Sequence, residues 1–203
     1  MKNKYTILLL ALLLVVSFGC SGNDTVESLT VSDLFPLQEG NYWKYNGYGN
    51  EYADFERKVL FAEDNRAQIL ETNPGTTMVV IYEIEDGRTK VVYSEENFFE
   101  EINILDTEAI MDQVILQEPI AVDQTWEDGV ATYTILSLTE EVETDAGTFT
   151  DCVMIEVTYP GSTGMSFSFY KPGLGMVLQE YVDSENDYVI SSVLSDFSVA
   201  GFQ

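Results

Sequence analysis

Apolar and polar residues alternate along most of this chain from residue 41 to its end. Residues 165–170 show the alternation most clearly and would place Met165, Phe167 and Phe169 on one face, while in residues 78–84 one set of side chains (78, 80, 82 and 84) alternates with another that includes Glu83. Successive side chains of a strand point to opposite faces, so a period of two predicts β-strands with one buried face. The pattern therefore predicts an all-β domain.

Turn sequences separate the alternating runs. Asp86-Gly87 lies between two of them, which is the strongest short signal for a β-hairpin. Asn73-Pro74-Gly75 suits a type II turn, with the glycine at positive φ. These turns predict about five antiparallel strands before residue 118, and similar signals predict a further series of strands after it.

Residues 94–118 are ambiguous. Asp106 would cap a short helix that carries Ile110, Met111 and Val114 on one face. Residues 114–116 are equally typical of a strand. We predict a short helix or a loop followed by a strand, and at most one short helix in the domain.

One eight-residue pattern occurs twice and contains both tryptophans of the chain. Residues 36–43 and 119–126 each begin with proline and a branched aliphatic residue and end with Trp43 or Trp126. We call them the Pro–Trp segments. In each, proline and a turn residue would bend the chain into a strand whose tryptophan fills the core. The recurrence indicates either a duplicated half or a recurring turn.

The first twenty residues have the parts of a secretory signal. Lys2 and Lys4 precede an uninterrupted apolar run, residues 7–16, and Cys20 follows shortly after it. Ten helical residues span about 15 Å, half of the hydrocarbon core of a bilayer. The run is therefore typical of a cleaved signal and too short for a transmembrane helix.

Cys20 at the cleavage position resembles the lipobox cysteine of bacterial lipoproteins. In that family the thiol receives diacylglycerol before cleavage, which implies lipidation of Cys20 and removal of residues 1–19. An ordinary secretory signal with an incidental cysteine is the alternative. Residues 20–35 are mostly small, polar and acidic, so we predict an acylated, flexible tether followed by a single domain, 36–203. The expected location is the cell membrane or outer membrane, on the extracytoplasmic side.

The chain is strongly acidic. It carries nine Lys and Arg residues against 35 Asp and Glu residues, a formal charge of −26 that becomes −28 once Lys2 and Lys4 leave with the signal. Such a charge repels phosphate, which excludes nucleic acid as a partner and also excludes electrostatic adhesion to anionic lipid. Membrane attachment would therefore depend on acyl chains at Cys20. The acidity indicates either a well-solvated surface or a setting rich in divalent cations.

Common catalytic and metal-binding patterns are missing from the sequence. It contains no histidine, which excludes Ser–His and Cys–His catalysis and histidine metal sites. It also contains no glycine-rich phosphate loop, and we predict no cofactor. Cys152 lies in an apolar run and is predicted to be a buried structural thiol. Asp183, Glu185 and Asp187 resemble the start of a calcium loop but lack its glycine and distal glutamate, so a solvated turn is the favoured interpretation.

Two later segments resemble a group of largely uncharacterised bacterial surface lipoproteins. They are Ala146-Gly147-Thr148-Phe149 with Cys152-Val153, and Tyr170-Lys171-Pro172-Gly173-Leu174-Gly175-Met176-Val177. The first Pro–Trp segment fits the same group. The resemblance implies a curved antiparallel meander, similar also to the half-barrels of the lipoprotein-handling proteins LolA and LolB.

The predicted fold is thus an all-β, curved antiparallel meander of roughly ten strands, forming a half-barrel or a sandwich. Its quasi-repeat halves would be 36–118 and 119–203. Its predicted structural core contains Trp43, Trp126, Phe149, Cys152, Phe167 and Phe169.

A row of aromatic residues near the start of the domain supplies the candidate binding site. Its members are Tyr42, Tyr45, Tyr48, Tyr52 and Phe55. On a concave sheet face such rings can hold an acyl chain or stack on a sugar, whereas the simpler interpretation is that they belong to the core.

Three functions are compatible with these features. The first is a lipid-anchored extracytoplasmic binding module that holds an apolar or amphipathic envelope ligand in its curved sheet. The second is a surface structural or protein-interaction domain with an envelope protein as its partner and no small ligand. The third, an enzyme that uses carboxylates alone, is least favoured because no two acidic pairs can be placed across a cleft. We therefore predict a protein without enzymatic activity.

Overall fold

The computed structural model describes residues 28–202, and nearly all regular structure in this range is antiparallel β-sheet. Within it lie a single four-residue α-helix and one 3₁₀ turn (Glu51–Ala53). The elements are α1 (Val31–Leu34), β1 (Tyr42–Tyr48), β2 (Phe55–Glu63), β3 (Arg66–Thr72), β4 (Thr77–Glu85), β5 (Arg88–Glu96), β6 (Gln113–Gln117), β7 (Thr125–Glu127), β8 (Thr132–Thr144), β9 (Gly147–Thr158), β10 (Met165–Lys171), β11 (Gly175–Asp183) and β12 (Tyr188–Ser198).

The twelve strands form one sheet in the order β6-β5-β4-β3-β2-β1-β12-β11-β10-β9-β8-β7. The sheet curls until its edge strands approach each other. Trp126 Nε1 in β7 donates to the Val114 carbonyl in β6 at 3.0 Å, and Gln113 Nε2 donates to the Tyr133 hydroxyl at 3.4 Å. The result is a nearly closed barrel. The predicted all-β antiparallel meander is confirmed, with twelve strands where roughly ten were expected.

The two Pro–Trp segments adopt the same turn. Gly40 and Asp123 occupy equivalent positions and both have positive φ, 87° and 67°. In each segment the following residue donates its N–H to the carbonyl three residues earlier, at 3.1 Å. Gly40 also donates to the Val59 carbonyl at 3.0 Å, and Asp123 donates to the Ile135 carbonyl at 2.9 Å. A recurring turn is thus present, while a duplication of the two halves remains a prediction.

Helix α1 closes one end of the barrel. Thr30 caps it with a capping box that includes Asp33, and Val31 and Leu34 are 1% and 0% exposed. The Asp33 carbonyl accepts the N–H of Gly173 in the β10–β11 turn at 2.7 Å. Because strands alternate in direction, that turn, the β4–β5 turn and the β6–β7 connection lie at the same end. We call it the closed end, and we call the opposite end the mouth.

This helix corrects the predicted tether. Residues 31–35 belong to the domain, because Val31, Leu34 and Phe35 pack in its main hydrophobic core. Three apolar side chains in a polar segment looked too few to pack, but they reach a barrel end where buried residues of the domain surround them. Cys20, the signal and the first part of the tether lie outside the described residues.

The connection between β5 and β6 is a loop without helix, so the second alternative for residues 94–118 is correct. The loop runs along the outer face of β3–β5, where Leu105 packs on Ile81 and Val92. The fully buried Gln68 holds the loop against the sheet. Its Nε2 donates to the Ile102 carbonyl and its Oε1 accepts the Ile104 N–H, both at 2.9 Å. The covered outer face explains why residues 78–84 are apolar on both sides.

The two turn predictions for the first half have opposite outcomes. Asp86 and Gly87 both have positive φ, 50° and 68°, which confirms the hairpin. Gly75 does not have positive φ, so the predicted type II turn is wrong. Instead, Asn73 Oδ1 accepts the N–H groups of Gly75 and Thr76 at 2.8 and 2.9 Å, a side-chain turn that requires no left-handed residue.

The predicted burial of β10 is inverted. Ser166 and Ser168 are buried inside the barrel, at 7% and 6% exposure, whereas Phe167 and Phe169 are half-buried on the outer face. Phe149, also half-buried, packs on the rings of Phe197 and Phe202. The serines therefore line the interior, which points to a polar requirement there.

Candidate functional site

The barrel interior contains two adjoining cavities of about 190 and 370 Å³. Both have Arg57 and Gln179 in their walls, so these two side chains mark where the cavities meet. We call the two cavities together the lumen. Toward the closed end, a gap of about 10 Å³ lies beside Phe35 and Trp43, and a cavity of about 560 Å³ lies between the first Pro–Trp segment and the β2–β3 turn.

The lumen opens at the mouth. The larger cavity reaches Asn50 and Tyr52 in the β1–β2 connection, and Tyr52 is 57% exposed. The smaller cavity reaches Tyr159, where the β9–β10 connection begins, and this side chain is 38% exposed. Both connections lie opposite α1, so a ligand would enter from that side.

An ion pair lies in the wall of the lumen. Arg57 in β2 and Glu71 in β3 are direct cross-strand partners, and Arg57 Nε donates to Glu71 Oε2 at 2.7 Å. Their side chains are only 18% and 17% exposed. The guanidinium carbon lies 4.9 Å from the centre of the Phe55 ring, in cation–π contact. The guanidinium is therefore fixed between a carboxylate and an aromatic face.

The electrostatics of this pair keep Arg57 charged. Burial is the largest single influence and lowers the pKa of Arg57, but the charge and hydrogen bond of Glu71 together with the nearby Tyr82 and Tyr45 outweigh it, so the pKa is raised. Burial raises the pKa of Tyr82 to about 12, although the charge of Arg57 opposes the shift. Burial likewise raises the pKa of Tyr170. At neutral pH the lumen therefore presents one cation, one anion and neutral phenols.

Several polar groups in the lumen wall have hydrogen-bonding capacity to spare. Within residues 28–202, the bond from Nε to Glu71 is the single hydrogen bond of the Arg57 side chain, which leaves its Nη groups available. The Tyr82 hydroxyl and the Gln179 amide make none in the same range. By contrast, the Tyr45 hydroxyl donates to a backbone carbonyl at 2.9 Å. The unused donors and acceptors favour a ligand that carries polar groups.

The predicted row of aromatic residues is divided between the two faces of the sheet. Tyr45 and Phe55 are buried inside the barrel, with their rings stacked at 4.5 Å, and Tyr52 lies at the mouth. Tyr42 is half-buried and Tyr48 is 51% exposed, and both are on the outer face. The expectation that all five face a ligand is wrong for these two, because they alternate with the inward-facing residues of β1.

The two tryptophans are buried and connect the two halves. Trp43, 4% exposed, donates its Nε1–H to the Leu174 carbonyl in the second half at 2.7 Å. Trp126, 5% exposed, donates to the first half at Val114 and stacks on Tyr133 with ring centres 5.2 Å apart. Each tryptophan thus joins the half that it opens to the other half.

The remaining sequence candidates lie away from the lumen. Cys152 is fully buried, and burial raises its pKa to about 11. Asp183 accepts N–H groups from Glu185 and Asn186, and the side-chain bond from Asn186 lowers the pKa of its carboxyl. Nowhere in residues 28–202 do three acidic or thiol side chains cluster as a metal site would require, Asp187 included.

Sequence reasoning missed the Arg57–Glu71 pair. A signal was available, because Arg57 alternates with Phe55 and Val59 and so shares the face of two buried apolar residues. A charge at an inward position is unusual unless it is paired. The identity of the partner depends on strand register, which no local pattern near Glu71 specifies.

Comparison with known proteins shows which solved structures share the fold of this chain. No protein-family model and no curated protein matches the sequence. A crystal structure from Bacteroides fragilis, provisionally described as an exported protein with a YmcC-like fold, is 17% identical, with a TM-score of 0.52 over 81% of this chain and 98% of that one. A second, from Parabacteroides distasonis and provisionally described as a lipoprotein, is 19% identical, with a TM-score of 0.51 over 85% and 100%. No helix in the described part of the chain is long and apolar enough to cross a membrane. This chain therefore shares its barrel-like fold with these two proteins.

Proposed function

We propose that this protein is a lipid-anchored extracytoplasmic binding module that holds a small amphipathic ligand in its lumen. The observation that carries the proposal is the open lumen itself, with cavities of about 190 and 370 Å³ that meet at Arg57 and Gln179. Ligand pockets of proteins commonly have volumes of about 300–1,000 Å³. A barrel that served only as a scaffold would gain stability by filling this space with side chains.

The lining of the lumen supports an amphipathic ligand over a purely apolar one. Ile155, Val157 and Met176 offer apolar surface in the smaller cavity. Arg57 and Gln179 offer polar groups where the two cavities meet. A hydrocarbon alone would leave these polar groups without partners, at a cost in binding free energy.

The anchor and the location rest on the signal and on Cys20. The lipobox resemblance supports lipidation of Cys20 and exposure of the domain on the extracytoplasmic side. The descriptions of the two similar structures as an exported protein and a lipoprotein are consistent with this location.

Native mass spectrometry tests ligand binding directly. The chain would be secreted without acyl groups, with Cys20→Ser behind an ordinary signal, and purified without detergent. We expect a bound non-protein mass that is released on denaturation. Ser168→Trp should abolish it by filling the lumen, whereas Phe167→Trp, the neighbouring outer-face position, should retain it. Absence of any bound mass from the unsubstituted chain, or equal retention by both variants, would contradict the proposal.

A protein-interaction domain is the second candidate, and one observation favours it. The β5–β6 loop exposes large apolar side chains, with Phe99 at 73% exposure and Ile110 at 67%. Such side chains are typical of contact surfaces. If this candidate is correct, Phe99→Ser with Ile110→Ser should remove a cross-linked envelope partner in cells while the mass bound in the lumen stays unchanged.

A further inference from the structure

We infer that the lumen selects ligands with a neutral head group rich in hydroxyls, of the sugar or glycerol type, and discriminates against charged head groups. This inference rests on the proposed function, because it names the ligand class of the same cavity. It follows from the charge balance of the lumen, from its hydrogen-bonding groups and from the charge of the whole chain.

The lumen is electrically balanced before a ligand enters. Among the described residues that line it, Arg57 and Glu71 are the only charged side chains, and they form a pair at 2.7 Å. A carboxylate or phosphate beside Arg57 would add a third charge without a counter-ion. An ammonium group beside Glu71 would do the same with the opposite sign. An uncompensated charge is disfavoured where access of solvent is restricted, and the side chains of the pair are only 18% and 17% exposed.

The rest of the chain disfavours an anion further. The formal charge of the whole chain is −26 at pH 7. A net negative field lowers the local concentration of anions and slows their association. Arg57 cannot offset this field, because Glu71 already neutralises it. A neutral ligand experiences no such repulsion.

Hydroxyl groups match the hydrogen-bonding groups that remain in the lumen. The Nη groups of Arg57 are donors, and Oε1 of Glu71 makes no hydrogen bond within residues 28–202 and is an acceptor. A hydroxyl both donates and accepts, so neighbouring hydroxyls of one sugar or glycerol can satisfy both sides of the ion pair. The Tyr82 hydroxyl and the Gln179 amide extend the same polar surface.

The buried serines of β10 fit this assignment. Ser166 and Ser168 point inward beside the ion pair, although the neighbouring phenylalanines would fill the space far better. Short polar side chains at these positions keep the lumen open and wettable. Tyrosine rings at the mouth provide faces on which a sugar ring can stack.

A matched series of ligands with the same tail tests the inference. Octyl glucoside, octanoate and octyltrimethylammonium, each below its micellar concentration, would be titrated calorimetrically into the full mature chain with Cys20→Ser. We expect octyl glucoside to bind at least about tenfold more tightly than either charged amphiphile. Free glucose should bind more weakly than octyl glucoside because it lacks the tail.

The outcomes separate the two proposals. Equal or tighter binding of octanoate or of octyltrimethylammonium overturns the selectivity while leaving a lumen that binds amphiphiles. Binding of glucose as tight as that of octyl glucoside overturns the amphipathic ligand but retains the neutral head group. No binding by any member of the series overturns both.

Glu71→Gln provides a second, sharper test. It leaves Arg57 without its counter-ion, so the affinity for octanoate should increase at least about tenfold relative to the affinity for octyl glucoside. Glu83→Gln is the matched control, because Glu83 forms a similar cross-strand pair with Arg66 at 2.8 Å on the outer face. A folded Glu71→Gln variant with unchanged selectivity would overturn the inference. If that variant does not fold, the relative affinities of the three amphiphiles for the chain with the native Glu71 decide whether the inference holds.

Discussion

The contact that closes the barrel can be tested by removing a single N–H group. Trp126→Phe retains an aromatic ring that can stack on Tyr133 but loses the indole donor to the Val114 carbonyl. Side-chain contacts of this kind join the edge strands β6 and β7, since the sheet order places these strands at opposite ends. The substitution therefore weakens the closure without emptying the core.

The expected cost follows from the two parts of the contact. An acceptor that loses its partner in a buried position costs about 1–3 kcal/mol. Val114 is 9% exposed and its hydrogen bond to Trp126 is buried, so the whole of that range applies. Trp126→Ala also removes the ring and should cost about 3–5 kcal/mol. The free energies of unfolding of the two variants should thus differ by roughly 2 kcal/mol, and this difference measures the packing of the aromatic ring alone.

Urea unfolding combined with native-state hydrogen exchange gives the measurement. We expect Trp126→Phe to lower the free energy of unfolding by about 1–3 kcal/mol. Amides of β6 and β7 should exchange faster by a larger factor than those of β1 and β12, which lie at the centre of the sheet.

Trp43→Phe is the control, because it removes an equivalent bond to the fully buried Leu174 at the closed end. It should destabilise the protein at least as much but accelerate exchange near the β10–β11 turn instead. Unchanged stability together with unchanged exchange in β6 and β7 of Trp126→Phe would refute the proposed role of the indole. The same increase in exchange from both variants would also refute it.

Three further expectations follow from other parts of the structure. Leu34→Ala should lower the free energy of unfolding by about 2–5 kcal/mol in a urea titration, because Leu34 is fully buried in the closed end; a loss below about 1 kcal/mol would show that α1 contributes little to the core. Cys152 should react slowly with a thiol reagent in the folded protein, and the rate should rise only as the pH approaches its pKa of about 11. In denaturant the rate should already rise near pH 8.5. Fast labelling of the folded protein at pH 8 would contradict the burial of the thiol. The melting temperature should rise as sodium or potassium chloride increases from 0.01 to 0.1 M, because the Debye length falls from about 30 to about 10 Å and screens the repulsion among acidic groups; a rise with micromolar calcium at constant ionic strength would indicate a specific site instead.

The fold was predictable where a local signal decides the geometry. Asp86-Gly87 specifies a hairpin through two residues that tolerate positive φ, and the Pro–Trp segments recur as the same turn. Gly75 shows the limit of such rules. The side-chain oxygen of Asn73 accepts the N–H groups of that turn, so the turn forms without a residue at positive φ. Turn sequences therefore predict where the chain reverses better than they predict the dihedral angles.

The candidate site was harder to predict because alternation defines two faces without saying which one points inward. In β10 the larger apolar residues face outward, where they are half-buried and Phe169 packs against the main core. The pairing of Arg57 with Glu71 depends on register between strands. The burial of Val31 and Leu34 depends on a barrel end that forms only when the sheet closes.

The position of α1 has a consequence for how the domain would be oriented at a membrane. The described chain begins beside the closed end, so an anchor at Cys20 would pull on that end and not on the mouth. Leu29 lies nine positions after Cys20, and nine residues span at most about 30 Å when fully extended. Strands of nine residues extend about 30 Å, so laying the mouth on the bilayer would require an almost taut connection. The relaxed arrangement turns the opening away from the leaflet that holds the anchor. A ligand would then enter and leave the lumen on the side away from that leaflet.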